Sequence, residues 1–171
     1  DSRYLKYARC VIKLGKDAKF LNKFCDNLLD IEIHSDESDI VAKTGFEKAI
    51  ELVKDRCTLI PDFYEQSIFL FNTPATLDLD AVKPKWNDDK KQFFVDWINR
   101  LKNISDWNAV TLENDFKELA TAKNIKPGEL QLPLRIMLVG GKFGPPVFVI
   151  AAMIEKEGTI KRIENALSQL S

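Results

Sequence analysis

The sequence predicts an all-α fold, a two-lobed helical bundle, and three observations lead to this prediction. Apolar residues recur every three to four positions through nearly all of the 171 residues, which is the period of an amphipathic helix. No stretch alternates apolar and polar residues for long enough to predict a strand. The stretch 73–87 contains two prolines and keeps no period. We therefore place a linker there, between a first lobe over 1–72 and a second lobe over 88–171.

Four helices are predicted in the first lobe. Two short helices lie on either side of Gly15, a third runs from about residue 41 to residue 57, and a fourth begins at Pro61. The fourth ends before Pro74, because the residue that precedes a proline is pushed out of the helical region. The apolar positions that define these helices are Tyr4, Ala8, Val11, Ile12, Phe20, Phe24, Leu28, Phe46, Ala49, Ile50, Val53, Cys57, Phe63, Tyr64, Ile68, Phe69 and Phe71.

The second lobe begins with a strongly amphipathic helix that opens near Asp88. The next helix is predicted to start at Thr111, whose hydroxyl suits an N-cap, and to close at Asn124. Pro127 and Pro133 each suit a first helical turn, and LPLRIMLVGG is predicted to be a short helix that ends at Gly140. The apolar positions that define the helices of this lobe are Phe93, Phe94, Trp97, Ile98, Leu101, Leu112, Phe116, Leu119, Ala120, Ile160, Ile163, Leu167 and Leu170.

Two more helices are predicted after the glycine stop. The turn Gly144-Pro145-Pro146 restarts the chain into the apolar segment VFVIAAMI. Thr159, which follows Gly158, is predicted to cap the last helix. The sequence therefore predicts helices joined by short turns up to its end.

Composition and charge exclude several classes of protein. The chain has 25 basic and 26 acidic residues and a pI near 6.0, which is not the balance of a bulk phosphate binder. Residues 121–171 nevertheless carry seven basic against four acidic residues. Three widely spaced cysteines suit reduced thiols, which predicts a cytoplasmic protein. The longest apolar run, 147–154, is too short to cross a membrane.

No catalytic residue and no metal ligand is predicted. His34, the only histidine, lies among Asp36, Glu37 and Asp39, and one histidine does not make a metal site, so we interpret this stretch as a solvated acidic connector. A nucleophilic triad has no support either, because the chain has a single histidine, no nearby cysteine pairing and no G-x-S-x-G elbow. The loop GGKFG at 140–144 is glycine-rich but lacks the Gly-Lys-Ser/Thr of a nucleotide P-loop.

Two arginines are the candidate binding residues. Arg135 and Lys142 flank the apolar Gly-Pro-Pro turn, and this combination can hold an unstacked base while a guanidinium reads its edge. The alternative is a plain helix stop followed by a helix start. Arg56 falls near the end of its predicted helix, where it either stabilises the helix C-terminus or reaches outward to a ligand.

The segment 116–167, FKELATAKNIKPGELQLPLRIMLVGGKFGPPVFVIAAMIEKEGTIKRIENAL, resembles the C-terminal end of bacterial glutamyl-tRNA synthetases. Its Pro-Leu-Arg helix, its glycine stop and its Gly-Pro-Pro-like turn carry the resemblance. The segment 46–71, FEKAIELVKDRCTLIPDFYEQSIFLF, is similar to the first anticodon-binding lobe of this family. The resemblance implies the anticodon-binding region of a class I enzyme that joins glutamate to its tRNA with ATP.

By this resemblance, Arg56 helps to read the third anticodon base. Arg135, Gly144, Pro145 and Val147 match positions that form a pocket for anticodon bases. The implied partner is the anticodon loop of tRNA(Glu), with neither a membrane nor DNA, and the parent enzyme is implied to be monomeric.

The resemblance implies no catalysis by this segment alone. The H-x-G-H-like and K-M-S-K-S-like signatures of the family do not occur here, and the chain begins at Asp1 within a helical pattern, as a piece of a longer enzyme would. No cofactor is therefore expected in this chain, and ATP with Mg is expected in a catalytic domain outside it. The alternative from another class is a helical protein-interaction module that does not bind RNA.

Overall fold

The computed structural model describes residues 48–49, 51–57 and 60–170. All regular structure within these residues is helical, which confirms the predicted all-α class. The helices and the acidic connector predicted before residue 48 lie outside the described residues. The chain divides into two compact units, Asp1–Ser67 and Ile68–Ser171. The finer division into 1–72, 73–87 and 88–171 stays a prediction.

The described part of the first unit contains the end of one helix and the start of another. The first helix tightens into a 3₁₀ helix at Lys54–Arg56, where the amide of Cys57 donates to the carbonyl of Lys54 at 3.2 Å. Ala49 and Val53 are fully buried, as their helical spacing predicts. Helix α1, Ile60–Phe71, begins beside Pro61 and ends before Pro74, which confirms both predicted boundaries.

Five further helices follow α1 in the second unit. Two 3₁₀ helices, Leu79–Ala81 and Lys83–Lys85, precede them. The five are α2 (Asp88–Asn103), α3 (Ala109–Ala122), α4 (Pro127–Val139), α5 (Val147–Met153) and α6 (Glu155–Gln169). Their apolar stripes meet in one core, in which the ring of Phe116 is edge-on to Phe93, Trp97 and Phe148 at centroid distances of 4.9, 4.9 and 5.2 Å. Such aromatic pairs add about 0.5–1.5 kcal/mol each beyond their buried area.

Asparagine side chains cap α2 and α3. The carboxamide of Asn87 accepts from the amide of Lys90 at 3.0 Å, so α2 opens at Asp88 as predicted. Asn108 caps α3 by accepting from the amide of Thr111 at 2.9 Å. The predicted cap at Thr111 is therefore wrong, because the helix begins at Ala109 and Thr111 lies inside it, with its amide satisfied by Asn108.

Two helices begin earlier than predicted. Helix α4 starts at Pro127, one of the two prolines predicted to suit a first turn, and contains the other, Pro133, in its interior. There the missing amide leaves one helical hydrogen bond unmade but does not end the helix. Helix α6 starts at Glu155, so Gly158 and Thr159 lie inside it. The hydroxyl of Thr159 donates to the carbonyl of Ala151 at 3.0 Å, and this contact with α5 replaces the predicted capping role.

The segment 73–87 belongs to the second unit. Val82 is 3% exposed, and Leu77 and Trp86 pack against the core. The amide of Asp78 donates to the carbonyl of Gly140 at 2.8 Å, which fastens this segment to the end of α4. None of the helices that the structure describes is long and apolar enough to cross a membrane.

Candidate nucleic-acid interface

The turn 140–146 joins α4 to α5, and Gly140 sets its start. Gly140 ends α4 with φ +89°, a left-handed conformation that glycine adopts without the steric cost that a Cβ brings. A Cβ placed here would lie 2.6 Å from the carbonyl oxygen of Thr76. Position 140 therefore requires glycine both for its backbone angle and for the close approach of the segment 73–87.

Arg135 contacts the end of this turn, at Pro145. It projects from α4, is half-buried, and its Nη1 donates to the carbonyl oxygen of Pro145 at 2.7 Å. A hydrogen bond from a charged donor is stronger than one between neutral groups. The guanidinium therefore fixes the position of the Gly-Pro-Pro corner relative to α4.

Gly144 leaves the space that this guanidinium occupies. Its φ is +153°, and an added Cβ would lie 3.2 Å from Nη1 of Arg135. A side chain at position 144 would strain the backbone and displace the guanidinium. The conformation of the turn therefore depends on both Gly144 and Arg135.

The structure brings four of the five predicted site residues together and does not test their role. Arg135 and Gly144 are half-buried, and Pro145 and Val147 are buried, with Val147 part of the core. Of these four residues, solvent therefore partly reaches Arg135 and Gly144 only. Arg56 lies in the first unit with its side chain exposed.

The tip of the turn carries an exposed cation and an exposed aromatic ring. Phe143 is 85% exposed, and the Nζ of Lys142 lies 3.4 Å from a carboxylate oxygen of Asp78. Both partners of that ion pair are solvated, so it contributes little and a phosphate can compete for the lysine. Phe143 did not enter the predicted site, although an aromatic residue between glycines and off any helical stripe is the signal that singles it out.

A second arginine, Arg162, is buried within the second unit. Arg162 of α6 is 5% exposed and donates to the main-chain carbonyls of Phe69, Leu138 and Asn72 at 2.6, 2.7 and 3.2 Å. Phe69 and Leu138 lie in the last turns of α1 and α4, where carbonyls have no intrahelical donor. Among the described residues the Nε of Arg162 has no partner.

Burial lowers the pKa of the Arg162 guanidinium to about 10, so the group remains a cation at neutral pH. Because this value lies below that of an exposed arginine, the cost of burying the charge applies in full below pH 10 and decreases only above it. The negative ends of two helix dipoles offset part of this cost.

Comparison with known proteins shows which family this chain resembles. Residues 18–167 match the family model described as "Anticodon binding domain". The glutamate–tRNA ligase of Christiangramia forsetii is 31% identical over 159 residues, which are 93% of this chain and 30% of that protein. The enzyme of Flavobacterium johnsoniae is 30% identical over 162 residues, which are 91% of this chain and 32% of that protein.

A solved structure agrees with these sequence matches. The crystal structure of a glutamate tRNA ligase from Elizabethkingia meningosepticum in complex with its amino acid superposes with a TM-score of 0.70 at 29% identity, covering 90% of this chain and 28% of that one. The chain thus spans about a third of the length of the curated relatives it matches.

The described fold is an all-α domain whose turn 140–146 carries the half-buried guanidinium of Arg135 and the exposed ring of Phe143. The chain belongs to the anticodon binding domain family, and it is homologous to that domain of glutamate–tRNA ligases. This membership confirms the resemblance seen in the segments 46–71 and 116–167. Because an anticodon-binding domain is a tRNA-binding domain, the class of partner is an RNA.

Proposed function

We propose that this chain recognises the anticodon loop of tRNA(Glu) as part of a glutamate–tRNA ligase, the enzyme that attaches glutamate to this tRNA in an ATP-dependent reaction. The observation that carries the proposal is the locked turn, in which Arg135 donates to Pro145 across the space left by Gly144. A fixed turn with a guanidinium beside it suits the splayed bases of an RNA loop.

The chemistry of ligation belongs, in this proposal, to a catalytic domain outside the chain. The sequence offers ATP neither a Gly-Lys-Ser/Thr loop nor the H-x-G-H-like and K-M-S-K-S-like signatures. ATP with Mg therefore binds elsewhere in the parent enzyme, which acts as a monomer in the cytoplasm. This chain supplies specificity and positioning.

Titration of an anticodon stem-loop of tRNA(Glu) against the full chain tests the proposal. With a net charge of −1, the chain makes few phosphate contacts, so we expect weak binding with a slope of about −2 in log K against log salt. A stem-loop with altered anticodon bases and a DNA hairpin of the same sequence serve as controls. No binding at low salt would contradict the proposal and favour a protein-interaction module. Equal binding to all three ligands would contradict it in favour of non-specific nucleic-acid binding.

Arg56→Ala is expected to reduce discrimination at the third anticodon base by about 1–3 kcal/mol, since a guanidinium that reads a base edge contributes that much. The measurement is the ratio of dissociation constants for the cognate loop and for a loop altered at that base. Lys54→Ala is the matched control, because Lys54 is an exposed cation on the same 3₁₀ helix. An unchanged ratio in Arg56→Ala, or an equal change in Lys54→Ala, would refute the assignment.

A further inference from the structure

Phe143 is the most exposed large apolar side chain among the described residues. Its ring is 85% exposed, against 67% for Val110 and 39% for Leu132. The other phenylalanines whose side chains are described are all buried, which is where the hydrophobic effect places such rings. The position of Phe143 thus differs from that of every comparable ring in the described part of the chain.

The backbone on both sides of Phe143 is held in place. Before it, the amide of Asp78 donates to the carbonyl of Gly140 at 2.8 Å, and after it, Arg135 donates to the carbonyl of Pro145 at 2.7 Å. These two hydrogen bonds limit the movement of the short backbone segment between residues 140 and 145, which carries the ring. A pre-organised aromatic side chain of this kind binds with a small entropic cost.

We propose that Phe143 is a stacking platform for one unpaired base of the anticodon loop, and this inference rests on the proposed function. A phenyl ring offers a flat face to a base, and such stacking is the usual way in which proteins hold single-stranded nucleotides. The adjacent cations, Lys142 and Arg135, favour an anionic partner over an apolar protein surface. Phe143 is therefore a positioning residue that holds a base within reach of the Arg135 guanidinium.

The test compares binding of the anticodon stem-loop by the full chain carrying Phe143→Ala, Phe143→Leu or Phe143→Tyr. Loss of one stacked base corresponds to about tenfold weaker binding, so we expect this loss in Phe143→Ala and in Phe143→Leu, which keeps apolar area but has no ring. Phe143→Tyr should bind within about twofold of wild type. Val110→Ala removes another exposed apolar side chain and is the control that should leave binding unchanged.

A second arm identifies the stacked base. Each loop nucleotide is replaced in turn by an abasic one, and binding is measured with wild type and with Phe143→Ala. Removal of the stacked base should weaken binding to wild type about tenfold. The same removal should not weaken binding to Phe143→Ala, because this variant has already lost the stacking contact. This non-additivity is the signature of direct contact.

The outcomes separate this inference from the proposed function. No binding of the stem-loop by wild type would defeat both. Sequence-dependent binding by wild type, together with unchanged binding by Phe143→Ala, would overturn the stacking platform alone. Full binding by Phe143→Leu would also overturn it, since apolar packing would then suffice. Self-association of wild type that Phe143→Ala abolishes, without a change in RNA binding, would assign the ring to a contact between copies of the chain.

Discussion

Replacing Arg162 by methionine is expected to lower the free energy of unfolding by about 3 kcal/mol. The guanidinium donates to three main-chain carbonyls, those of Phe69, Leu138 and Asn72. Two of these carbonyls lie at helix ends, and each buried carbonyl that loses its donor costs about 1–3 kcal/mol. Removal of a buried cation with an unpaired Nε recovers part of this cost, which is why the sum falls below three full penalties.

Urea unfolding, followed by tryptophan fluorescence, measures this change. Arg162→Lys keeps the charge but not the planar fork, so its stability should fall between those of wild type and Arg162→Met. Lys161→Met is the matched control on the same helix, because Lys161 is exposed and its loss should change stability by less than about 0.5 kcal/mol. If Arg162→Met unfolds at the same urea concentration as wild type, the three carbonyls do not depend on this side chain.

Arg135→Ala is expected to weaken binding of the cognate anticodon stem-loop by about 50-fold, since under the proposed function it removes both a guanidinium that reads a base and the support of the turn. The accompanying loss of stability should be about 1.5 kcal/mol, the lower end of the contribution of a hydrogen bond from a charged donor, because Arg135 is only half-buried. Dissociation constants and thermal unfolding are measured on the same preparations. A large loss of melting temperature would instead identify Arg135 as a structural residue.

Gly144→Ala tests the same geometry without removing the guanidinium. Its Cβ would lie 3.2 Å from Nη1 of Arg135 at a φ of +153°, so the arginine must shift and RNA binding should fall in the same direction. Gly141→Ala is the control, because a Cβ at position 141 meets no atom within 4 Å among the described residues. Unchanged binding by Gly144→Ala would show that the exact position of the guanidinium does not matter.

The helices of the second unit follow from the sequence because their signals are local. Phe93, Trp97 and Leu101 repeat with the helical period and are buried. The predicted ends at Asn124 and Gly140 are confirmed, since both residues have positive φ, the conformation that closes a helix. These features need no knowledge of the rest of the fold.

The errors concern residues that serve two purposes. Pro133 and Gly158 are breakers by local rules, yet each lies inside a helix, because burial of α4 and α6 in the core outweighs their poor helix propensity. Thr111 is a suitable N-cap residue for α3, but Asn108 is equally suitable and lies closer to the turn that precedes the helix. Local pattern cannot choose between such competing signals.

The sequence names candidate site residues but does not indicate the contacts between them. The resemblance selects Arg135, Gly144 and Pro145, whereas the hydrogen bond from Arg135 to Pro145 spans ten positions and depends on how α4 and α5 pack. Asp78 supports the same turn from the segment predicted as a linker. Nothing in the sequence near residue 78 indicates this long-range contact.

Hydrogen bonds fix both ends of the turn, at Gly140 and Pro145, and this determines which of its residues can change during evolution. Gly140 and Pro145 are tied to the scaffold, while the tip between them, at 141–143, projects away from it. Exchanging tip residues therefore leaves folding intact and alters only what the tip touches. Replacements at these three positions therefore need no compensating replacements in the core.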